Sequence, residues 1–416
     1  MRAATAVAVV AIVTVLVGVG ALAVGGLGGV GGIGDEGRLV ERWVSDPGTE
    51  AGGNHHEPAV ANGTVFAPVS GSRGQTECAL VAYGADDGTE RWRAPVPDAN
   101  CTIHAVADPT VADYDDDGVH EVLAASTTEE LVAYDPETGD REFSFPLSRY
   151  GYSAPVVADV TPGGGEEIVV TDVAGVTFVL GPDGTERWRV DTDQHVETAP
   201  TVADFDADGT RETLVAGDRA LVLLGPDGEV EWEHPTDDRL AAWVTTADAD
   251  GDPAVEVFAA FTRGEVVAVD GASGETEWRR EVGRFPAVHD AGDGDGDGAV
   301  ELYVGTRDGT VRALDATTGE TEWATPVAEG LQMMPPPVLG DVDGGVGGGD
   351  PGPELVVASN DGTVTVLDPD GTVRTTYSRD QPVYTHPVFA DVDGDGDREV
   401  FVMYSDGRVV ALDYRS

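Results

Sequence analysis

The sequence predicts an all-β fold, a ring of eight four-stranded antiparallel blades, on three observations. A Gly-x-x-x-Trp motif, with Phe in place of Trp in one copy, recurs at intervals of 44 to 51 residues, which is typical of a repeat protein. Each repeat contains short apolar runs, such as "ELYVGT" and "ELVVAS", separated by turns rich in Asp and Gly. The last of eight repeats lacks a fourth strand, which the N-terminal end of the chain can supply. Four short strands in a unit of this length indicate a propeller blade, so we expect an eight-bladed β-propeller.

The aromatic residue of the motif fixes the register of the blades. It falls at Trp92, Phe143, Trp188, Trp232, Trp278 and Trp323. The first strands of the eight blades are expected to begin near Glu57, Asp108, Ala154, Ala199, Ala242, Pro286, Pro336 and His386. The triplet "ERW" from Glu41 to Trp43 repeats the sequence that ends at Trp92 and at Trp188. We therefore expect it to complete the last blade, which closes the ring and removes an open sheet edge.

Five turns between the first and second strands of a blade share a nine-residue acidic pattern. Positions 1, 3 and 5 are Asp and position 9 is Glu. The copies are Asp113, Asp115, Asp117 and Glu121; Asp204, Asp206, Asp208 and Glu212; Asp248, Asp250, Asp252 and Glu256; Asp293, Asp295, Asp297 and Glu301; and Asp391, Asp393, Asp395 and Glu399. The pattern is not that of an EF-hand, because the twelfth position counted from Asp391 is Val402.

These hairpins are predicted to bind calcium. Calcium takes about six to eight oxygen ligands, and alternating acids in a tight turn can direct several oxygens at one point. The hairpins that start at Asp159 and Asp341 interrupt or lengthen the pattern, and the first blade has none, so no metal is predicted in those three blades. The alternative is that turns of Asp and Gly are simply frequent in a strongly acidic chain.

The segments that lead into the first strands are expected to run over the opposite mouth of the ring, near its axis. Five of the eight histidines fall there, namely His55, His56, His104, His195 and His386, together with Tyr150, Tyr152, Glu197 and Trp243. Imidazole groups in such a funnel can bind a transition metal or an anionic ligand. The alternative is that rim loops merely tolerate polar residues. No catalytic residue is predicted, because no phosphate loop, zincin motif or nucleophile elbow occurs.

The stretch "LDATTGETEW", from Leu314 to Trp323, resembles the tryptophan-docking repeat of pyrroloquinoline-quinone (PQQ) propellers. The resemblance covers about residues 38–416 and implies eight blades with the tryptophans wedged between neighbours. The acidic hairpins resemble the calcium loops of FG-GAP repeats, as in integrin α-subunits. In PQQ enzymes the mouth of the ring holds the quinone, a calcium ion and a catalytic Asp.

Two functions follow from that resemblance. One is a non-catalytic, calcium-binding module that binds or scaffolds a partner. The alternative is a PQQ-dependent oxidoreductase with the cofactor in the central funnel. The compact blades and the lack of vicinal cysteines favour the first, and the fold alone does not decide between them.

The chain is strongly acidic, with 77 acidic residues, 24 basic residues, a formal net charge of −53 and no lysine. A nucleic-acid backbone needs a basic surface, so nucleic acid is excluded as a partner. The regular apolar runs argue against disorder. A lysine-free, Asp-rich composition resembles that of proteins from halophilic archaea, in which molar salt screens repulsion between surface carboxylates.

Residues 1–34 are assigned to an N-terminal segment, and residues 35–416 to the propeller. Met1 and Arg2 precede an apolar run from Ala3 to about Val24, which is long enough to span a bilayer as a helix. Because the positive charge precedes this run, we expect a membrane anchor with the N-terminus inside the cell and the propeller outside. The alternative is a cleaved signal peptide and a secreted propeller.

An exported chain also sets expectations for its cysteines and its partner. Cys78 and Cys101 are expected to form a disulfide, because a pair of cysteines outside the cell is more often bonded than free. The expected partner is an extracellular protein or a glycan.

Overall fold

Eight four-stranded antiparallel sheets make up the part of the chain that the structure describes. The computed structural model describes residues 37–48, 51–71, 77–252, 254–344 and 352–415, and within them lie 32 strands and one short 3-10 helix, Asp98–Asn100. The predicted all-β, eight-bladed propeller is therefore confirmed. The predicted N-terminal helix lies outside the described residues. No helix in the part of the chain that the structure describes is long and apolar enough to cross a membrane.

Strand β1 (Arg38–Val44) opens the described chain and belongs to the last blade. Blade 1 contains β2 (Ala59–Ala61), β3 (Thr64–Val69), β4 (Ala79–Gly84) and β5 (Glu90–Pro95). Blade 2 contains β6 (Thr110–Ala112), β7 (Glu121–Ser126), β8 (Glu130–Tyr134) and β9 (Arg141–Pro146). Blade 3 contains β10 (Val156–Ala158), β11 (Glu167–Thr171), β12 (Val176–Leu180) and β13 (Glu186–Asp191). Blade 4 contains β14 (Thr201–Ala203), β15 (Glu212–Ala216), β16 (Ala220–Leu224) and β17 (Val230–Pro235).

The second half of the ring repeats the same order. Blade 5 contains β18 (Ala241–Ala247), β19 (Glu256–Phe261), β20 (Glu265–Asp270) and β21 (Thr276–Glu281). Blade 6 contains β22 (Ala287–Gly292), β23 (Glu301–Gly305), β24 (Thr310–Asp315) and β25 (Thr321–Pro326). Blade 7 contains β26 (Val338–Gly340), β27 (Glu354–Ala358), β28 (Thr363–Leu367) and β29 (Val373–Ser378), and blade 8 contains β30 (Val388–Ala390), β31 (Glu399–Met403), β32 (Val409–Arg415) and β1. All eight first strands start within two residues of the predicted positions.

The N-terminal strand closes the ring, as the "ERW" repeat predicts. Strand β1 pairs antiparallel with β32, and Trp43 lies opposite Ala411. The order β1-β32-β31-β30 gives blade 8 four strands like the others. The first and last strands of the described chain therefore share one sheet.

The second and third strands of each blade form the core, because both of their faces are covered by neighbouring blades. In β19 every residue is buried. Phe258 packs against residues of blade 6, and Phe261 packs against residues of blade 4. This two-sided burial explains why these strands are continuous apolar runs rather than alternating ones.

The tryptophans lie between neighbouring blades. Trp278 of blade 5 is 6% exposed, and its indole Nε1 donates a hydrogen bond to the carbonyl oxygen of Ala316 in blade 6 at 2.7 Å. Its ring covers Gly319, where a Cβ atom would come within 2.6 Å of the indole. The same indole-to-carbonyl bond joins Trp43 to Ala85, Trp92 to Pro136, Trp188 to Pro226 and Trp232 to Gly271. These aromatic wedges hold adjacent blades in register.

A disulfide joins Cys78 and Cys101, whose Cα atoms are 5.4 Å apart. Cys78 lies just before β4, and Cys101 follows the 3-10 helix. The bond therefore ties blade 1 to the segment that leads into blade 2.

Candidate functional sites

The acidic hairpins share one loop conformation. In blade 2 the Asp113 carboxylate accepts hydrogen bonds from the backbone N–H groups of Asp117 at 3.1 Å and Gly118 at 2.9 Å. In blade 4 Asp204 accepts the two equivalent bonds at 3.0 Å. The residue at position 4 has a positive φ in every copy: Asp116, Ala207, Gly251, Gly296 and Gly394. The position-5 carboxylates accept the backbone N–H two residues on at 2.8–3.0 Å, in Asp117, Asp208, Asp252, Asp297 and Asp395.

The acidic side chains of these hairpins converge. Carboxylate oxygens lie within 4.8 Å of one another in sets that include Asp113, Asp115 and Glu121; Asp204, Asp206 and Glu212; Asp248, Asp250 and Glu256; and Asp293, Asp295 and Asp297. The Glu at position 9 is the buried member of the first three sets; Glu121 and Glu256 are each 2% exposed, as is Glu301 at the end of the fourth hairpin. Burial raises the pKa of Glu121 and of Glu256 to about 7, and nearby carboxylates raise it as well. Such sets of oxygens can hold calcium, which would offset their mutual repulsion.

A β-bulge in the fourth strand releases one further side chain from the ladder in each blade. In blade 4, Leu223 pairs with Trp232 and Leu224 with Val230, so Glu231 is left without a pairing partner in the ladder. A bulge bends its strand and redirects the side chain of the extra residue. The same register shift occurs in all eight blades, and we call the extra residues the bulge residues. From blade 1 to blade 8 they are Arg91, Glu142, Arg187, Glu231, Glu277, Glu322, Arg374 and Arg42.

The charge of the bulge residue follows the hairpin of its blade. In blades 2, 4, 5 and 6, which carry complete acidic hairpins, it is Glu. Partial desolvation raises the pKa of Glu231, and the carboxylates of Asp206 and Asp208 raise it further. In blades 1, 3 and 7, whose hairpins lack the pattern, the bulge residue is Arg. A further carboxylate beside four others is unfavourable unless a cation lies between them.

Where the bulge residue is Arg, its guanidinium can stand where a metal cation would. In blade 7, Arg374 Nη1 donates to Glu354 Oε1 at 2.8 Å. Blade 8 is the exception to the charge pattern, because it combines a complete acidic hairpin with an Arg. Arg42 Nη1 there bonds the Glu399 carboxylate and donates to Asp393 Oδ2 at 3.0 Å. Sequence reasoning missed these bulge residues. In seven of the eight blades the bulge residue directly precedes the aromatic residue of the repeat.

A cavity of about 750 Å³ lies where the segments entering the eight first strands meet. Every blade contributes to its wall, from His56 in blade 1 to His386 in blade 8. Tyr152, Glu197 and Trp243, which were expected at this mouth, line it too. The predicted funnel is thus present in the structure.

Three of the five predicted histidines meet beside this cavity: His55 and His56 line it, whereas His104 and His195 are not among the described residues that do. His55 Nε2 and His104 Nδ1 are 2.8 Å apart. The ring centroid of His56 lies 4.8 Å from that of His55 and 5.7 Å from that of His104. Burial lowers the pKa of His104 to about 3, and its histidine neighbours lower it as well. Burial also lowers the pKa of His55, so both rings are neutral at pH 7.

The other two predicted histidines are each paired with a glutamate. His386 Nε2 lies 2.7 Å from Glu57 Oε2, and its Nδ1 donates to the carbonyl oxygen of Pro387 at 3.1 Å. Burial lowers the pKa of His386, but the Glu57 carboxylate outweighs it and raises the value to about 9. His195 Nε2 lies 2.8 Å from Glu197 Oε1 in an exposed position.

Sequence reasoning missed one histidine of the cavity wall, His289. Its ring centroid is 4.2 Å from that of His386, and its Nδ1 lies 2.8 Å from Asp290 Oδ1. It follows Pro286, which was itself predicted to begin a first strand. The topology that placed the other histidines at this mouth could therefore have placed His289 there as well.

A family model described as outer membrane protein assembly factor BamB, of the PQQ_2 type, matches residues 35–141, 157–302 and 307–416. The chain belongs to this BamB family. The match covers the ring and agrees with the resemblance to PQQ-type repeats seen in the sequence. No curated protein matches this BamB-family chain.

Solved structures similar to this BamB-family chain share its fold at low sequence identity. BamB from Moraxella catarrhalis has a TM-score of 0.60 and 17% identity, over 90% of this chain and 97% of that one. The quinohemoprotein alcohol dehydrogenase ADHIIG from Pseudomonas putida HK5 has a TM-score of 0.64 and 14% identity, over 91% and 76%. The V. cholerae biofilm matrix protein Bap1 has a TM-score of 0.66 and 13% identity, over 91% of each chain. At these identities the similarity concerns the fold alone.

Proposed function

We propose that the chain is a non-catalytic binding or scaffolding module that presents the cavity face of its propeller to a partner. The charge of the cavity wall carries this proposal. The wall contains the carboxylates of Glu57, Asp108 and Glu197, and no arginine is among the described residues that line it. The family description supports the same function, because it names an assembly factor rather than an enzyme.

The alternative, a PQQ-dependent oxidoreductase, fits this wall poorly. PQQ carries three carboxylates, and anionic groups in a cleft require cationic or hydrogen-bond-donating partners. Among the described residues that line the wall, His386 is a cationic side chain, and Glu57 already pairs with it. The similarity to a quinohemoprotein supports the fold that this alternative requires. It does not supply the cationic side chains that the carboxylates of PQQ would need in this wall.

Adding PQQ and calcium to the purified full chain separates the two functions. Binding is measured by calorimetry, and turnover by reduction of an electron-accepting dye with a panel of alcohols and aldoses. We expect neither binding nor dye reduction. Stoichiometric PQQ binding with substrate-dependent dye reduction would make the chain an enzyme and overturn the proposal.

The partner that fits this face best is an extracellular protein. Ile103 and Phe285 line the cavity and are each 37% exposed, although both are large and apolar. Exposed apolar side chains around a concave surface are typical of protein interfaces. Val230 and Val373 are also exposed, but each begins a fourth strand of its blade.

Site-specific photo-crosslinking in the native host tests that face. A crosslinking residue at Ile103 or Phe285 is expected to capture the same protein, whereas one at Val230 or Val373 is expected to capture none. Capture from all four positions would show no preferred face and contradict the proposal. Adducts that carry only carbohydrate would make the partner a glycan instead.

We further propose that calcium binds the hairpins of blades 2, 4, 5 and 6 in FG-GAP-like sites and stabilises them. The converging carboxylates and the Glu bulge residues support this. Calcium in the fifth predicted hairpin, that of blade 8, would have to displace Arg42 from Asp393 and Glu399. Titration of chelator-treated protein is expected to give four ions per chain and to raise the melting temperature in molar salt. If the chelator-treated protein takes up no calcium and its melting temperature does not change, the proposal is wrong.

An exported location completes the proposal, with residues 1–34 as membrane anchor and residues 35–416 as the external propeller of a halophilic archaeon. The disulfide between Cys78 and Cys101 supports export, because disulfides persist in oxidising compartments. Protease added to intact cells is expected to cleave the membrane-bound propeller. Recovery of the propeller in the medium would favour a cleaved signal peptide, and full protection in intact cells would contradict export.

A further inference from the structure

We propose that His55, His56 and His104 form a transition-metal site at the edge of the cavity, with Zn²⁺ or Cu²⁺ as the ion. One ring nitrogen from each of the three lies within 4.8 Å of the others. Imidazole nitrogens bind Zn²⁺ at about 2.0–2.1 Å, so ligand nitrogens around one tetrahedral ion are about 3.3 Å apart. Small rotations of the three rings therefore suffice to bring them onto one ion.

Hydrogen bonds already fix which nitrogen of two of these rings faces the site. His55 Nδ1 lies 2.8 Å from the carbonyl oxygen of Gly53, which can only accept. His55 therefore carries its proton on Nδ1 and presents the Nε2 lone pair toward His104. His56 Nδ1 likewise faces the Asp108 carboxylate at 3.1 Å. A carboxylate or carbonyl on the remote nitrogen is the usual outer shell of a metal-binding histidine.

The third observation is a buried nitrogen that lacks a partner. His56 is 1% exposed, and its Nε2 has no hydrogen-bond partner among the described residues. A buried polar atom without a hydrogen-bond partner destabilises the folded protein. A metal ion held by the three rings would satisfy this atom.

The histidine site and the acidic hairpins select different ions. Hard oxygen ligands suit calcium, whereas imidazole suits Zn²⁺ and Cu²⁺. Both cysteines of the described chain are in the disulfide, so no thiolate among the described residues competes for such an ion. Saturating calcium can thus occupy the hairpins while Zn²⁺ is titrated, and the inference does not depend on the proposed binding function.

The test is a calorimetric titration of the full chain with Zn²⁺ in molar salt and saturating calcium. We expect one Zn²⁺ per chain in the wild type and loss of this binding in His55→Ala and in His104→Ala. His195→Ala removes an exposed histidine near the same mouth and is expected to bind like the wild type. Asp108→Asn is expected to weaken binding by about 10- to 100-fold, because it replaces the carboxylate partner of the remote nitrogen of His56 with a neutral amide.

A second measurement needs only the wild type and so does not rely on folded variants. One equivalent of Cu²⁺ is added, and the electron paramagnetic resonance spectrum is searched for hyperfine coupling to imidazole nitrogen. Coupling to two or more imidazoles supports the site. Coordination by oxygen alone, or equal loss of Zn²⁺ in His195→Ala and in folded His104→Ala, would overturn it.

Discussion

The guanidinium of Arg42, in the strand that closes the ring, bonds the carboxylate of Glu399 at the end of the last acidic hairpin. Its Nη1 also donates to Asp393 Oδ2 at 3.0 Å. The four other complete hairpins have Glu at the bulge position that Arg42 occupies. The bulge position beside a complete hairpin therefore carries either a further carboxylate, from Glu, or a guanidinium cation, from Arg.

Arg42→Glu is expected to create a calcium site in blade 8. The substitution removes the internal cation and supplies the carboxylate found in the other complete hairpins. Calorimetry should then show one calcium ion per chain more than the wild type. In calcium-free buffer the variant should melt below the wild type, because the carboxylates around Glu399 lose their cationic partner.

The matched control is Arg187→Glu, the same change at the bulge of blade 3. The hairpin there has Thr161 and Gly163 at positions 3 and 5, so it lacks the acids that a metal needs. No additional calcium is expected. An equal gain in both variants, or none in a folded Arg42→Glu, would contradict the link between bulge and hairpin.

The ring and its hairpins could be predicted from the sequence because their causes are local. Strand periodicity, turn residues and the spacing of Asp113, Asp115 and Glu121 can be read within a few residues. The role of the bulge residue could not be read in this way. Arg187 and Glu231 precede tryptophan in the same motif, and only the strand pairing shows that both leave the ladder.

The grouping of the histidines is also a long-range property. The repeat placed His55, His104 and His386 at one mouth, but it did not give their neighbours. His104 meets His55 across the boundary between blades 1 and 2, whereas His386 meets Glu57 across the closure of the ring. Side-chain contacts between blades decide which ring stays neutral and which becomes cationic.

Calcium-free protein is expected to be more stable at pH 5.5 than at pH 8. Burial and nearby carboxylates raise the pKa of Glu121 and of Glu256 to about 7, above the ordinary value of 4.5. The stability that each of these two glutamates contributes is therefore fully present below about pH 4.5 and is lost as the pH rises through 7. Melting temperatures in resin-treated, metal-free buffer test this. Glu121→Gln is expected to flatten the trend, and a melting temperature that rises with pH would contradict it.

The charged pair of His386 and Glu57 is expected to make stability fall between about pH 6.5 and pH 9. The pKa of His386 is raised to about 9, so its contribution is complete below its ordinary pKa near 6.5 and is lost as the pH passes 9. The nearby groups are Asp108, His289 and Asp290. Chemical unfolding of wild type and His386→Gln should differ by up to about 3 kcal/mol at pH 6.5 and less at pH 9.5.

For that pair the control is His195→Gln, whose exposed ring is paired with Glu197. Its unfolding free energy should follow that of the wild type across the same pH range. A difference between wild type and His386→Gln that does not change with pH would show that the ring acts through packing rather than through charge.

Trp278→Ala is expected to lower the free energy of unfolding by about 3–5 kcal/mol, because it leaves a cavity between blades 5 and 6. Trp278→Phe keeps most of the apolar contact and loses only the bond to the Ala316 carbonyl, so its loss should be about 1–3 kcal/mol. The natural Phe143 in the equivalent place of blade 2 shows that the ring accepts this residue. Equal losses in both variants would mean that the indole N–H, and not the packing, holds the blades together.

Glu231→Arg in blade 4 is the reverse of Arg42→Glu in blade 8. It tests whether an arginine can replace a metal ion as the cation of an acidic hairpin. An arginine at this bulge is expected to lie among the carboxylates of Asp206 and Glu212, as Arg42 lies beside Asp393 and Glu399. The variant should bind one calcium ion fewer than the wild type, and in calcium-free buffer it should melt at a higher temperature. Calcium titration and thermal melting of the same samples measure both effects. A lower calcium count together with a lower calcium-free melting temperature would show that the arginine disrupts the hairpin instead of replacing its cation.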